Sequence, residues 1–212
     1  MKRNSGWRTG GAAVLGLALA AGAAQAQTTR WWDWALSPQL GSAELSLEKR
    51  LYEPAKDEVA CMRCKHYAEL RVGIDEQDFQ GADFDVTHFI AGYRYYAYVQ
   101  LKDGPRGHKV DGGWAAYLGA GLGRYELDPG EPVSGWNARF GVDKKVTETC
   151  KGGKPRKWAL DWEVSATYHN LSVPGADFDY WNFQTGPRFL FPSSRDTERA
   201  EYLKICELEG EQ

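Results

Sequence analysis

The sequence predicts an all-β fold: an eight-stranded antiparallel up-and-down transmembrane β-barrel with a short C-terminal periplasmic tail. Three observations predict it. Apolar and polar residues alternate with period two through eight separate stretches, the pattern of strands with one apolar and one polar face. The chain is 13% aromatic with nine Trp and 24 Gly, yet it has no apolar run long enough for a membrane-spanning helix. The first 26 residues read as an export signal. A polar, aromatic, Gly-rich chain behind such a signal fits a barrel whose strands turn alternate side chains in and out.

The signal comes first. Lys2, Arg3 and Arg8 form a basic region, Gly11 to Gly22 an apolar core, and Ala24-Gln25-Ala26 a cleavage site. The competing reading is a membrane anchor, but a core of about 12 residues falls short of the ~20 that a helix needs to span. Removing three positive charges takes the formal charge from −3 to −6. The expected organisation is signal peptide 1–26, barrel 27–191 and tail 192–212.

The strands follow in order. Arg30 to Leu36 is the first, and Ser37 to Ser42 a turn. Ala43 to Tyr52 sets Ala43, Leu45, Leu47 and Leu51 against Glu44, Ser46, Glu48 and Arg50. A polar connection, Glu53 to Lys65, holds Cys61 and Cys64. Tyr67 to Asp75 sets Ala68, Leu70, Val72 and Ile74 against Tyr67, Glu69, Arg71 and Gly73. After a turn at Glu76 to Asp83, Phe84 to Leu101 carries an apolar face from Phe89 through Ala91, Tyr93, Tyr95, Ala97 and Val99 to Leu101. Opposite lie His88, Gly92, Arg94, Tyr96, Tyr98 and Gln100. That face spans ~40 Å at ~3.3 Å per residue, enough to cross a bilayer core at a ~40° tilt. Trp114 to Leu122 and Trp136 to Val142 follow, the latter setting Trp136, Ala138, Phe140 and Val142 against Asn137, Arg139, Gly141 and Asp143. Trp158 to Tyr168 alternates most cleanly, with Asp161, Glu163, Ser165 and Thr167 on its polar side. The closing strand lies within Asp177 to Phe191. Thr197 to Leu208 is the one helical candidate.

Alternation alone fits a soluble lipocalin-like carrier as well, because the two kinds of barrel differ in which face points inward. Lysine placement separates them. None of the eleven lysines beyond residue 26 lies mid-strand, whereas a soluble barrel would carry some on its solvent face. Trp114, Trp136, Trp158 and Trp181 sit near the ends of apolar faces, as interface girdles do. With the first strand starting in the periplasm, the lysines and all four cysteines fall in or beside the inner turns. The outer loops then hold Asp75, Glu76, Asp78, Asp83, Asp85, Glu126, Asp128, Glu131, Asp177 and Asp179.

The end of the last strand, Gln184-Thr-Gly-Pro-Arg-Phe-Leu-Phe191, resembles the insertion signal on the closing strand of bacterial outer-membrane barrels: polar, any, Gly, any, any, aromatic, any, aromatic. The resemblance implies a small eight-stranded barrel of the OmpA/OmpX-like kind. It also implies recognition by the barrel-assembly machinery through Gln184–Phe191, and an outer-membrane location with lipid and lipopolysaccharide as neighbours. No nucleic-acid partner is expected.

An internal repeat marks the lumen. Gly81-Ala-Asp-Phe-Asp85 recurs as Gly175-Ala-Asp-Phe-Asp179. In the same register Phe89 matches Phe183, Gly92 matches Gly186, Arg94 matches Arg188 and Glu69 matches Glu163. Duplication of a hairpin explains five consecutive identities better than chance does. The expected lumen set is Asp33, Glu48, Glu69, Asp161 and Glu163 with Arg50, Arg71, Arg94, Arg139 and Arg188, a filled and charge-balanced interior. Each repeat Glu is expected opposite or diagonal to its own Arg, Glu69 with Arg94 and Glu163 with Arg188.

More distantly, the last strands resemble the lipid A deacylase barrels, whose His-any-Ser motif places base and nucleophile on one strand face. The candidates here are His169, Ser172 and Glu163. The chain departs from the motif: Leu171 is two residues after His169, and Ser172 has the opposite parity. An acidic rim could attract divalent cations, but no loop has calcium-hand spacing, and no cofactor or metal is expected. Cys61 and Cys64 lack the second close pair of a zinc site, since Cys150 and Cys206 are 56 residues apart. An exported chain favours disulfides, and the expected bridge joins the Cys61/Cys64 turn to Cys150 or Cys206. The expected role is non-enzymatic, structural or ligand-contacting. The alternatives are a lipid A or phospholipid ester hydrolase and a soluble periplasmic carrier.

Overall fold

The computed structural model describes residues 32–51, 66–79, 82–103, 109–147, 150–151, 153–173 and 176–192, with Leu203, Cys206 and Glu207. The export signal, Arg30 and Trp31, the Cys61/Cys64 turn and most of the tail lie outside the described residues.

Eight antiparallel strands close a barrel, each beside its sequence neighbour. They are β1 (Trp32–Gln39), β2 (Ala43–Arg50), β3 (His66–Phe79), β4 (Ala82–Asp103), β5 (Lys109–Asp128), β6 (Val133–Lys145), β9 (Ala159–Val173) and β10 (Ala176–Pro192). Pairing of β1 with β10 closes the ring. A small hairpin, β7 (Cys150–Lys151) with β8 (Lys154–Pro155), occupies the connection between β6 and β9, where the sequence suggests only a turn.

The strands outrun the expected turns. The predicted turn at Glu76 to Asp83 is mostly ladder, from Ile74↔Thr87 through Phe79↔Ala82. Period-two alternation continues there: Glu76, Asp83 and Asp85 are exposed, whereas Val86 is buried. Charged residues at a strand's end mark the edge of the apolar band, not the end of the strand. β1 likewise runs to Gln39, because Ser37 and Gln39 turn their polar side chains inward and are buried.

One face assignment fails. Tyr98 shares sequence parity with Arg94 and Tyr96 but is 49% exposed. A bulge between Tyr96 and Tyr98 shifts the β4–β5 register, and the extra residue turns Tyr98 outward. The strict alternation that begins at Phe89 is therefore broken at Tyr98.

The partition of side chains is inverted relative to a soluble domain. The exposed set includes Leu70, Val72, Ile74, Phe89, Leu122, Phe140, Val164 and Phe183, together with Trp114, Trp136, Trp158 and Trp181. The buried set includes Glu48, Glu69, Glu163, Arg94, Arg139 and Arg188. Apolar clusters cap this polar interior. Val86, Ile90, Tyr125, Leu171, Phe178 and Tyr180 pack at the end nearest the β3–β4 and β9–β10 turns. Ala35, Ala159 and Leu190 pack at the other.

The repeat is structural. Glu69 faces Gly92 across β3 and β4, and Glu163 faces Gly186 across β9 and β10. The two hairpins thus share one register at an offset of 94 residues, on opposite sides of the eight-stranded ring. Gly186 has a second reason to be Gly: a Cβ there would run into the backbone of Pro38 on β1. The glycine of the closing motif lets the first and last strands meet.

Candidate functional site: the charged lumen

Strand alternation delivers one inward side chain every second residue, so each charged lumen residue is placed by its own ladder. Arg94 is diagonal to Glu69 and donates to it at 2.7 Å, from Nη2 to Oε1. The same guanidinium reaches Glu48 at 3.1 Å and Glu163 at 3.2 Å, and lies 3.9 Å from the centre of the Tyr117 ring. Arg139 donates to Glu163 at 2.8 Å, Ser165 at 2.9 Å, Glu44 at 3.1 Å and Glu69 at 3.2 Å. Arg188 grips Glu48 with two bonds, 2.6 Å and 3.0 Å, and reaches Asp143 at 3.3 Å and Asp161 at 3.9 Å. Tyr96 donates to Asp143 at 2.6 Å, and Tyr117 donates to Glu163.

The expected pairs divide. Glu69 and Arg94 meet directly. Glu163 and Arg188 do not: Glu163 is held by Arg94 and Arg139, while Arg188 turns to Glu48. The physical reason is the ring. A side chain in a narrow barrel reaches strands across the lumen as readily as its ladder neighbour, so pairing is three-dimensional. Asp33 lies at the margin, 14% exposed, and binds Lys49 at 2.6 Å and Arg50 at 3.9 Å.

Several lumen members were not singled out from sequence. Glu44 and Asp143 share the polar parity of Glu48 and Arg139, a signal that sufficed to find them. Asp75 was expected in an outer loop, but it is buried, because β3 continues past it. It accepts from Asn182 at 2.7 Å and Tyr180 at 3.1 Å. His88 stands between Glu44 (Nε2, 3.0 Å) and Asp75 (Nδ1, 3.3 Å).

The hydrolase candidates do not converge. His169 is buried in the lumen, hydrogen-bonded through Nδ1 to the Tyr125 hydroxyl at 3.0 Å and stacked on Tyr180 at 4.6 Å. Ser172 is exposed, on the opposite face of β9. Glu163 lies six residues down the strand in the Arg network, so these three residues do not assemble as base, nucleophile and acid.

The cysteine expectation is corrected. Cys150 bonds to Cys206, Cα to Cα 5.3 Å, instead of either bonding to the Cys61/Cys64 turn. The β7–β8 hairpin carries Cys150 to the buried Cys206 of the tail. Among the described residues, no group of three or more His, Cys, Asp or Glu could hold a metal ion.

Comparison of the chain with protein-family models, characterised proteins and solved structures returned no match.

Proposed function

We propose that this chain is an outer-membrane surface barrel of the small OmpA/OmpX-like kind, with a structural or ligand-contacting role and no enzymatic one. One observation carries the reading: large apolar side chains cover the outside of a closed barrel while its charges are buried within. In water that arrangement would expose far more contiguous apolar surface than a soluble monomer tolerates. In a bilayer it is the stable one, since a closed barrel leaves no unpaired ladder for lipid to meet.

The four Trp of the girdles, 44–52% exposed, suit the membrane interfaces. The exposed acids Glu76, Asp83, Asp85, Glu126, Asp128, Glu131 and Asp179 would face the lipopolysaccharide layer. The crosslinked Arg–Glu interior supports a filled barrel over a conducting pore. The closing strand, Gln184–Phe191, suits recognition by the assembly machinery.

The test is fractionation of the expressing cell with gel migration before and after heating. The expected result is outer-membrane recovery with heat-modifiable mobility. Recovery as a soluble periplasmic monomer would overturn the proposal and favour the carrier reading.

A further inference from the structure

The barrel wall is uneven. β1 and β2 have eight residues each, and every other barrel strand has at least 13. The β2–β3 ladder stops at Ala43↔Ile74, and β1 meets β10 no further than Leu40↔Thr185. Gly41, at φ +109°, turns the hairpin there. Beyond that tip, Asp75–Phe79 of β3 pairs only with β4, and Ala176–Gln184 of β10 only with β9, among the described residues. The first hairpin thus leaves a notch, two strands wide, at one end of the wall. Ile74, Trp181 and Phe183 flank it, 51%, 52% and 71% exposed, so on the membrane reading proposed above it borders the acyl region.

Among the described residues, the notch is bridged by side chains. Tyr180 and Asn182 of β10 both donate to Asp75 of β3. Gln184 donates to Ser42 at 2.6 Å. His88 is the only cationic group at ion-pair distance from Asp75 among the described residues. Its two ring nitrogens face two carboxylates, Asp75 and Glu44. The Glu44 contact is a hydrogen bond, and the Asp75 contact an ion pair without hydrogen-bond alignment. A neutral imidazole has one lone-pair nitrogen, which would point at an anionic oxygen. The geometry therefore calls for an imidazolium.

Its other neighbours matter to the balance. Arg71 of β3 and Arg139 of β6 reach Glu44 at 3.5 Å and 3.1 Å. Tyr125 of β5 and His169 of β9 have their rings 6.2 Å and 5.6 Å away. Glu44 keeps two guanidiniums whatever His88 does, whereas Asp75 would be left with only neutral donors. Among the described residues, seven buried carboxylates (Glu44, Glu48, Glu69, Asp75, Asp143, Asp161, Glu163) face five buried arginines (Arg50, Arg71, Arg94, Arg139, Arg188), and a charged His88 narrows that excess.

We propose that Tyr180 and Asn182 of β10, bound to an Asp75 whose charge is balanced by a protonated His88 on β4, form a latch that holds the notch shut, and that loss of the His88 proton releases β10 from β3. A buried carboxylate without a counter-ion is costly. Water entering by the notch would relieve it, at the expense of its bonds to Tyr180 and Asn182. The open notch gives lateral passage between the lipid and the upper lumen.

The test is pulsed dipolar EPR on the full chain with spin labels at the exposed positions, E76C and D179C, in a Cys61→Ser, Cys64→Ser background. Nitrogen NMR of the imidazoles follows in parallel. At pH 6 one narrow distance and a doubly protonated His88 are expected. As pH rises and that proton is lost, the distribution should widen by about one strand spacing, ~5 Å. His88→Gln should show the wide distribution already at pH 6. If that variant does not fold, the pH series on the otherwise native protein decides alone. A neutral His88 at pH 6, no proton loss by pH 10, or a distance unchanged through that loss overturns the latch. Labelled protein in detergent micelles tests it whether or not the chain fractionates with the outer membrane, so failure of one reading is distinguishable from failure of the other.

Discussion

Arg94→Met removes the hub of the lumen. Arg94 contacts Glu69, Glu48 and Glu163 at 2.7, 3.1 and 3.2 Å and covers the Tyr117 ring. All three carboxylates are buried. Removing one partner of a buried ion pair costs ~3–5 kcal/mol, because it strands the other charge. Losing the ring contact adds ~0.5–2 kcal/mol. Arg139 and Arg188 remain on Glu69, Glu163 and Glu48 and soften the loss. The expected destabilisation is ~4 kcal/mol. For an isolated pair, adding Glu69→Gln would restore most of it. Here Glu48 and Glu163 stay short of a partner, so the double variant should recover only ~1–2 kcal/mol relative to additivity. The assay is reversible urea unfolding in lipid vesicles, followed by Trp fluorescence and checked by the compact band in unheated gels. An Arg94→Met cost below ~1 kcal/mol, or strict additivity of the two singles, would refute the hub.

Other outcomes follow from the same geometry. Gly186→Ala should cost ~1–3 kcal/mol by overpacking the β1–β10 seam, measured by the same unfolding; an unchanged midpoint would mean that the seam can relax. Non-reducing peptide mapping should recover Cys150 linked to Cys206, and Cys206→Ser should free the tail while leaving heat-modifiable mobility intact; linkage of either cysteine to Cys61 or Cys64 would contradict the pairing. Lipid A acylation should be the same with the native protein, with His169→Ala and without the protein, by mass spectrometry of lipopolysaccharide. Acyl loss that depends on His169 would reinstate the hydrolase reading. Planar bilayers should show no steady conductance from the native barrel.

What the sequence determined by itself is what period two encodes. Alternation along a strand is local, so eight strands, their order and the polar faces bearing Glu69, Arg94, Arg139, Glu163 and Arg188 were all legible. The common register of the two duplicated hairpins was legible too, because five identical residues pin it. Strand ends were not, since charged residues such as Glu76 and Asp83 continue a ladder as well as they form a turn. Nor was the facing of Tyr98, because one bulge reverses parity without any distinct residue signal. Only the tertiary structure decided who pairs with whom. Ring closure brings β2, β4, β6, β9 and β10 around one narrow lumen, so Arg188 finds Glu48, 140 residues away, before its hairpin neighbour Glu163. Asp75 joins Tyr180 and Asn182 for a different reason: the first hairpin is too short to stand between them, and the length of one strand is felt only where its neighbours lie.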